Sequence, residues 1–569
     1  MVAKSPHATG GVAAAKKAEQ FLVLLLALGA VATLFVFRAL DDNRLTRWDW
    51  AFAHVDPAPF FGVLIASLLA AYGVAKLALP GRRVAPILFL FSYAVGACFW
   101  GAPEAIVDAS RYFTQAKHLE IYGVGYFLRE WGGEIPAWTD LPLVPFLYGL
   151  IFKTFGESRI YIQAFTTLLF SSTVVLTYWI GRTLWNEDVG FWAGALLLGI
   201  PYLLTQVPSM LVDVPTMFFL TLATFAFIRA LHHGGTGRTA FAAVALLLAF
   251  FSKYSVWLML SVLLLVALIY GARDPRGALR RGGAIALISA LLIAATIIPK
   301  FEVFSEQIAL LLSYQAPGLR RWGESHSSTF LFQIHPFVTG GALLSLYVAA
   351  RRRDPRYLII AWPMLLLILL QIQRIRYMIP VFPMLSLMAA YGLQAIRSRE
   401  VRNVVVTCAV ASSLVVALYG YLPFLGTIST VNLKRAGEYL DAMSEGRAEA
   451  FTLDQGPSAV NPAVSVPILD LFTSKRVSYA YDSTTSPGNK GVEESSLRFT
   501  WEYRNPRYYA IDGTETQDDP ALVVISRDMD QRLPERIESR LRGYRLSGVF
   551  AMDENVFHYK TVVKVYRPG

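Results

Sequence analysis

The chain has 569 residues, 55% of them apolar and only 16% charged, with a formal charge of +11. That balance exceeds the apolar share of a water-soluble domain and marks a polytopic membrane protein. The basic excess gathers in short loops between apolar runs, which orients spans in a bilayer and does not call for nucleic acid. Two cysteines, Cys98 and Cys408, both lie in apolar runs, which excludes a disulfide framework or a zinc-finger spacing.

Residues 1–20 are Ala/Gly-rich, carry Lys4, Lys16 and Lys17, and are expected to be disordered and cytoplasmic. Residues 21–101 hold three apolar runs, near 21–40, 60–79 and 84–100. The first is long and lacks a clear cleavage site, so it reads as an anchor and not as a signal peptide. Keeping the N-terminus and the Arg82–Arg83 turn inside makes residues 102–161 the first large external loop. Its 103–145 stretch is too polar to cross a bilayer. At helical spacing Asp108, Arg111, Gln115 and His118 share one face, and Ala109, Tyr112, Phe113, Ala116 and Leu119 the other, as in a helix lying at a membrane surface. Residues 141–156 are apolar but short, with two prolines and a lysine, and read as an interfacial or re-entrant helix.

Residues 162–428 then alternate apolar runs, near 162–184, 191–204, 214–231, 239–251, 256–270, 284–298, 332–350, 357–370, 380–396 and 404–425, with short loops. Arg273, Arg276, Arg280, Arg281, Arg351, Arg352, Arg353, Arg397, Arg399 and Arg402 all fall inside in this register. The last segment, 429–569, is polar and extracytoplasmic. Residues 521–528 and 558–567 read as buried strands, and 433–446 and 530–544 as amphipathic helices. The expected fold is an α-helical polytopic membrane protein of about 13 transmembrane helices with a C-terminal soluble α/β or α+β domain, the latter large enough for its own core. That domain carries no catalytic signature, and no internal repeat is visible.

The acids at the membrane edge, Asp108 and Asp213, fall on the outer side together with Glu104, Asp140, Lys253, Arg374 and Arg376. One ionisable group at a helix end costs little. Together these groups suggest an acid-lined, anion-tolerant pocket. Each has a plainer reading beside it. Asp108 could cap the surface helix, Asp213-Val-Pro215 could be a helix start, Lys253 could snorkel, and Arg374 and Arg376 could be interfacial anchors. His326 and His335 lack metal-site spacing and read as structural.

Six stretches in order carry a resemblance: DASRYFTQAK (108–117), WTDLPLVPFLYGLIFKTFG (138–156), GRTLW (181–185), SMLVDVPTMFFL (209–220), FSKYS (251–255) and RIRYMIPVFP (374–383). Over roughly residues 95–400 the chain resembles the polyprenyl-phosphate-sugar glycosyltransferases of the GT-C superfamily. It looks most like the bacterial and archaeal relatives of protein O-mannosyltransferase and of lipid A aminoarabinose transferase. The resemblance implies a multi-pass protein of the cell (inner or plasma) membrane with its active site outside. It implies transfer of a sugar from a polyprenyl-phosphate donor to a hydroxyl of a lipid, glycan or protein acceptor, with inversion. By the same resemblance Asp108 is the catalytic base, and Lys253 and Arg376 bind the donor phosphate. Asp213, and Glu104 if it substitutes for the acid that relatives carry after the first, are the candidates for a second acid or a metal or acceptor ligand. Relatives often follow the first acid with Glu, where this chain has Ala109. They often carry a basic residue or His before the proline of the surface helix, where this chain has Asp140-Leu-Pro142.

The residue types suit that chemistry. An acceptor hydroxyl needs a base within hydrogen-bond reach, and a phosphate favours Arg and Lys. Paired carboxylates could also hold a divalent cation; no cofactor is assigned. The rival classes are a transporter or flippase of lipid-linked saccharides, which would show broken or polar helices at mid-membrane in two related halves, and a non-catalytic assembly or receptor protein. The phosphate-binding loop of an ATP-driven pump is missing.

Overall fold

The computed structural model describes residues 7–77, 83–318, 322–453, 460–480, 492, 495, 497–510, 519–554, 556–557 and 559–569; Lys4 and Arg82 lie outside them. The apolar runs become helices because a segment in hydrocarbon must satisfy its own backbone groups. In chain order these are α1 (His7–Val36), α2 (Pro57–Val74), α3 (Val84–Ala97), α4 (Asp108–Tyr122), α5 (Leu143–Phe155), α6 (Arg159–Leu184), α7 (Glu187–Leu196), α8 (Asp213–His233), α9 (Thr236–Phe250), α10 (Pro275–Ile297), α11 (Pro336–Arg352), α12 (Tyr357–Leu369), α13 (Phe382–Gly392) and α14 (Arg399–Val416). Helix α1 begins within the stretch expected to lack order. The alanines of residues 13–18 favour helix and run straight into the apolar span.

Among the described residues seven helices are long and apolar enough to cross a membrane, and five further apolar helices run 10–17 residues. The pair His326–Gln333 and Pro336–Arg352, bent by 118°, is either an eighth, broken span or a re-entrant loop. Seven of the roughly thirteen expected crossings are full-length helices, and several other apolar runs form shorter or interrupted helices for local reasons. The 191–204 run, for example, breaks between Leu196 and Pro201, where a 3-10 turn intervenes and proline cannot continue the ladder.

Small residues bring the helices together. A Cβ on Gly392 of α13 would stand 2.0 Å from the Gly341 carbonyl of α11, and one on Gly149 of α5 would stand 2.8 Å from the Ala116 carbonyl of α4. Such close approach replaces the hydrophobic drive that is absent between helices in lipid. The α1–α2 hairpin is fixed through a buried acid. Asp41 accepts from the Trp48 amide at 2.8 Å and from Gln333 Nε2 at 2.6 Å, and it also accepts from Ser328 Oγ.

The C-terminal segment folds as an α/β unit. Strands β1 (Arg447–Thr452), β2 (Arg476–Tyr479), β3 (Ala521–Ser526), β4 (Tyr544–Phe550) and β5 (Val562–Pro568) form one mixed sheet in the order β2-β1-β3-β5-β4. β1 pairs parallel with β2 and β3, while β5 is antiparallel to β3 and β4. The central strand β3 is buried at all six positions, as expected of a strand covered on both faces. Helices α15 (Val431–Asp441) and α16 (Ser465–Asp470) cover one face, and Ile537 of a short helix packs on the other. Val107, the residue before α4, is buried in the first of these cores. The domain thus grips the start of α4 directly.

Gly392→Ala is expected to cost about 1–3 kcal/mol of stability, because backbone at 2.0 Å cannot give way. Gly62→Ala, with nothing within 4 Å of its Cβ, should leave stability unchanged or higher. Thermal unfolding of the two purified variants in one detergent checks the contrast.

Candidate active site

Asp108 is the first residue of α4 and Asp213 the first of α8. Each follows a valine, and no side chain caps either helix. Neither acid therefore serves as a cap. Both sit in the first helical turn, where the helix dipole favours negative charge, and both turn their carboxylates towards cations. Arg376 Nη1 donates to Asp108 Oδ2, and its Nε donates to Asp213 Oδ2 at 2.7 Å. Lys253 Nζ donates to the other Asp213 oxygen at 2.5 Å and lies 4.9 Å from the centre of the Tyr377 ring. Four of the five residues marked in the sequence thus form one chain of alternating charge. Its middle is sealed, Asp213 being 1% and Arg376 5% exposed as side chains, while the ends, Asp108 at 13% and Lys253 at 18%, are largely buried but reach the surface in part. Burial raises the Asp108 pKa, but Arg376 and then Arg111 outweigh it and hold the carboxyl below the ordinary value.

The fifth residue, Glu104, is not joined to this chain. It accepts from Arg159 Nε at 2.8 Å and from the Met210 amide at 3.1 and 3.2 Å. It thereby pins to α6 the backbone that leads into Asp213.

Three sets of contacts were not legible as a site. Arg111, one turn after Asp108, lies 2.6 Å from Asp140, which also accepts from Gln115 Nε2 at 3.3 Å. Asp140 keeps Arg111 charged, while burial, opposed by Arg111, pushes Asp140 up to about 6. The spacing of Asp108, Arg111 and Gln115 on one face was the available signal; the partner at position 140 was not visible. The second set braces Arg376. Arg374 stacks at 3.4 Å from the centre of the Trp322 ring, and Glu324 accepts from the Ile375 amide at 3.1 Å. That strap is held in turn by the α1–α2 loop, where Arg44 Nε donates to the Trp322 carbonyl at 2.6 Å and Asp42 accepts from the Ser325 amide at 2.9 Å. The third set docks the C-terminal domain. Lys117 Nζ lies 2.6 Å from Asp470 and 3.0 Å from Glu157, and Lys434 Nζ donates to the Gly101 carbonyl at 2.5 Å.

Among the described residues no group of three or more His, Cys, Asp or Glu side chains could hold a metal ion. Arg376 and Lys253 already hold both oxygens of Asp213, and Arg376 holds one oxygen of Asp108.

Residues 138–300 match the family model described as dolichyl-phosphate-mannose-protein mannosyltransferase. The structure is similar to ArnT from Cupriavidus metallidurans bound to undecaprenyl phosphate, with 12% identity and a TM-score of 0.50 over 85% of this chain and 97% of that one. Against ArnT from the same organism in the apo state the identity is 14% and the TM-score 0.50, over 84% of this chain and 97% of that one. No curated protein matches the sequence. Over residues 138–300 the chain is thus similar to the dolichyl-phosphate-mannose-protein mannosyltransferases, and as a whole it shares the fold of ArnT.

The raised pKa of Asp140 fixes a sign. The folded state holds this proton more tightly than the unfolded state, whose value is near 3.8, so stability falls as pH rises from about 4 to about 6. Two pH units correspond to at most about 3 kcal/mol. Asp140→Asn should flatten that part of the stability profile, measured as melting temperature against pH.

Proposed function

We propose that this protein transfers a sugar from a polyprenyl-phosphate donor to an acceptor hydroxyl at the extracytoplasmic face of the cell membrane, with inversion at the anomeric carbon. The observation that carries this reading is the buried chain Asp108, Arg376, Asp213, Lys253, whose two ends are its most exposed members. The ArnT that shares the fold is bound to undecaprenyl phosphate, a carrier of the donor class proposed here.

The geometry couples donor binding to activation of the base. A donor phosphate approaching Arg376 competes with Asp108 for the same guanidinium N–H. Once displaced, Asp108 loses the cation that holds its pKa down and becomes the stronger base. It then accepts the acceptor hydroxyl proton. The hydroxyl oxygen's electron pair forms the new bond to the anomeric carbon, and the carbon–phosphate oxygen bond breaks with its pair leaving on the polyprenyl phosphate. Arg376 and Lys253 neutralise that leaving group, and Asp213, bonded to both, positions them. No step runs through a metal ion.

A second reading, a flippase for lipid-linked saccharides, draws on one feature, the helix pair bent by 118°.

Membranes carrying the wild type should transfer label from a radiolabelled polyprenyl-phosphate sugar, and Asp108→Asn should lower the rate by ~10²–10⁴-fold at equal expression. Undiminished transfer by Asp108→Asn would remove Asp108 from the chemistry. Wild-type membranes that move labelled lipid across the bilayer but transfer nothing would favour the flippase.

Orientation has its own measurement. With Cys98 and Cys408 replaced by Ser, a cysteine at the exposed Glu538 should react with an impermeant maleimide in intact spheroplasts. Reaction only after permeabilisation would put the domain, and the site with it, on the cytoplasmic side.

A further inference from the structure

A cavity of about 690 Å³ opens between the C-terminal end of α4 and the β2 edge of the C-terminal sheet. This is the size of a small-molecule or oligosaccharide pocket. It lies away from the charge chain. Lys117, on its floor, is nine residues along α4 from Asp108, or ~14 Å at the helical rise.

Its walls have a definite chemistry. Lys475, Arg476 and Arg507 stand at the rim, and Tyr122 and Tyr508 add aromatic surface. The rim is built. Asp441 accepts from Thr473 Oγ1 and from the Ser474 amide, both at 2.7 Å, which fixes the turn that presents Lys475 and Arg476. Arg507 forms an exposed pair with Glu134 at 3.4 Å, a contact that water already weakens and an incoming anion can exchange. Below, Lys117 is shared between Asp470 and Glu157. Burial, and then Asp470, push the Glu157 pKa upward, while Lys117 opposes the shift. Glu120 is the remaining acid of the lining.

Cations, aromatic rings and hydroxyls around a half-open pocket suit a ligand rich in both hydroxyls and negative charge. Tyr rings pack on the apolar face of a sugar, and Lys and Arg take carboxylate or phosphate.

We infer that this cavity is a distal acceptor subsite that holds an anionic saccharide, a sugar chain bearing carboxylate or phosphate groups. The inference rests on the transferase reading above for its purpose, since binding energy gathered remote from the reacting hydroxyl serves to orient it. It does not rest on that reading for its test.

The test measures binding, not turnover, on the full-length protein in nanodiscs by calorimetry. The probes are hexagalacturonate, a phosphorylated hexamannoside and neutral maltohexaose. Wild type should bind one or both anionic probes and not maltohexaose, and the two anionic probes separate carboxylate from phosphate recognition. Lys475→Glu/Arg507→Glu should weaken that binding at least tenfold at unchanged melting temperature. Arg542→Glu/Arg545→Glu, which makes the same charge change on an exposed part of the domain far along the sheet, should leave it within twofold. Asp108→Asn should bind as wild type does. Failure of both anionic probes, equal binding of maltohexaose, an unaltered rim variant or an equal loss in the control variant would each overturn the subsite. Binding that behaves as expected in a protein with no sugar transfer would instead overturn the transferase reading and leave the subsite standing.

Discussion

Two carboxylates and two cations meet in a place where none of them is tolerable alone. Taking a single ion out of water costs several kcal/mol even after relaxation, and removal of one partner of a buried pair leaves the other uncompensated. Asp108, Arg376, Asp213 and Lys253 escape that cost only as a set, each acid between or beside cations and each at the favourable end of a helix. The set therefore dictates which parts of the chain converge. The starts of α4 and α8, the turn after α9 and the segment before α13 have to share one end of the bundle, although Asp108 and Arg376 are 268 residues apart.

The rest of the molecule reads as support for that end. The α1–α2 loop, for which the sequence offered no purpose, holds the Trp322–Glu324 strap, and the strap holds Arg374 and Ile375 beside Arg376. Glu104 secures the approach to Asp213 from the other direction. The C-terminal domain takes Val107 into its core and clamps α4 through Lys117 and Asp470. A static cluster of this kind would be inert if its pairs were permanent. Its ends are the more exposed members, so in the proposed reaction an anion exchanges at one end while the sealed Asp213–Arg376 pair keeps the frame.

Much of this was readable in the order of residues. Length of apolar run, basic turns and the polar 103–145 stretch were sufficient for a multi-span protein with a large loop ahead of its main bundle. Four of the five marked residues proved to be neighbours. The fifth, Glu104, went elsewhere, because spacing along a chain does not say which cation an acid will find, and Arg159 lay closer in space. The capping roles considered for Asp108 and Asp213 did not materialise, since each acid is inside its helix by one residue and points away from the free amides.

The sequence by itself determined the class of protein, the separation of a polar C-terminal domain from the apolar bundle and the identity of most of the charged groups at issue. Those properties follow from transfer free energies of single side chains and short segments, which need no knowledge of neighbours. Only the tertiary structure decided that Arg376 bridges two acids, that Asp140 belongs to Arg111, that full-length spans are fewer than apolar runs, and that a basic cavity lies between α4 and the sheet. Those are facts of pairing across more than a hundred residues or across a domain boundary. Pairing is set by the requirement that buried charges and small-residue contacts be satisfied all at once, which no local pattern encodes.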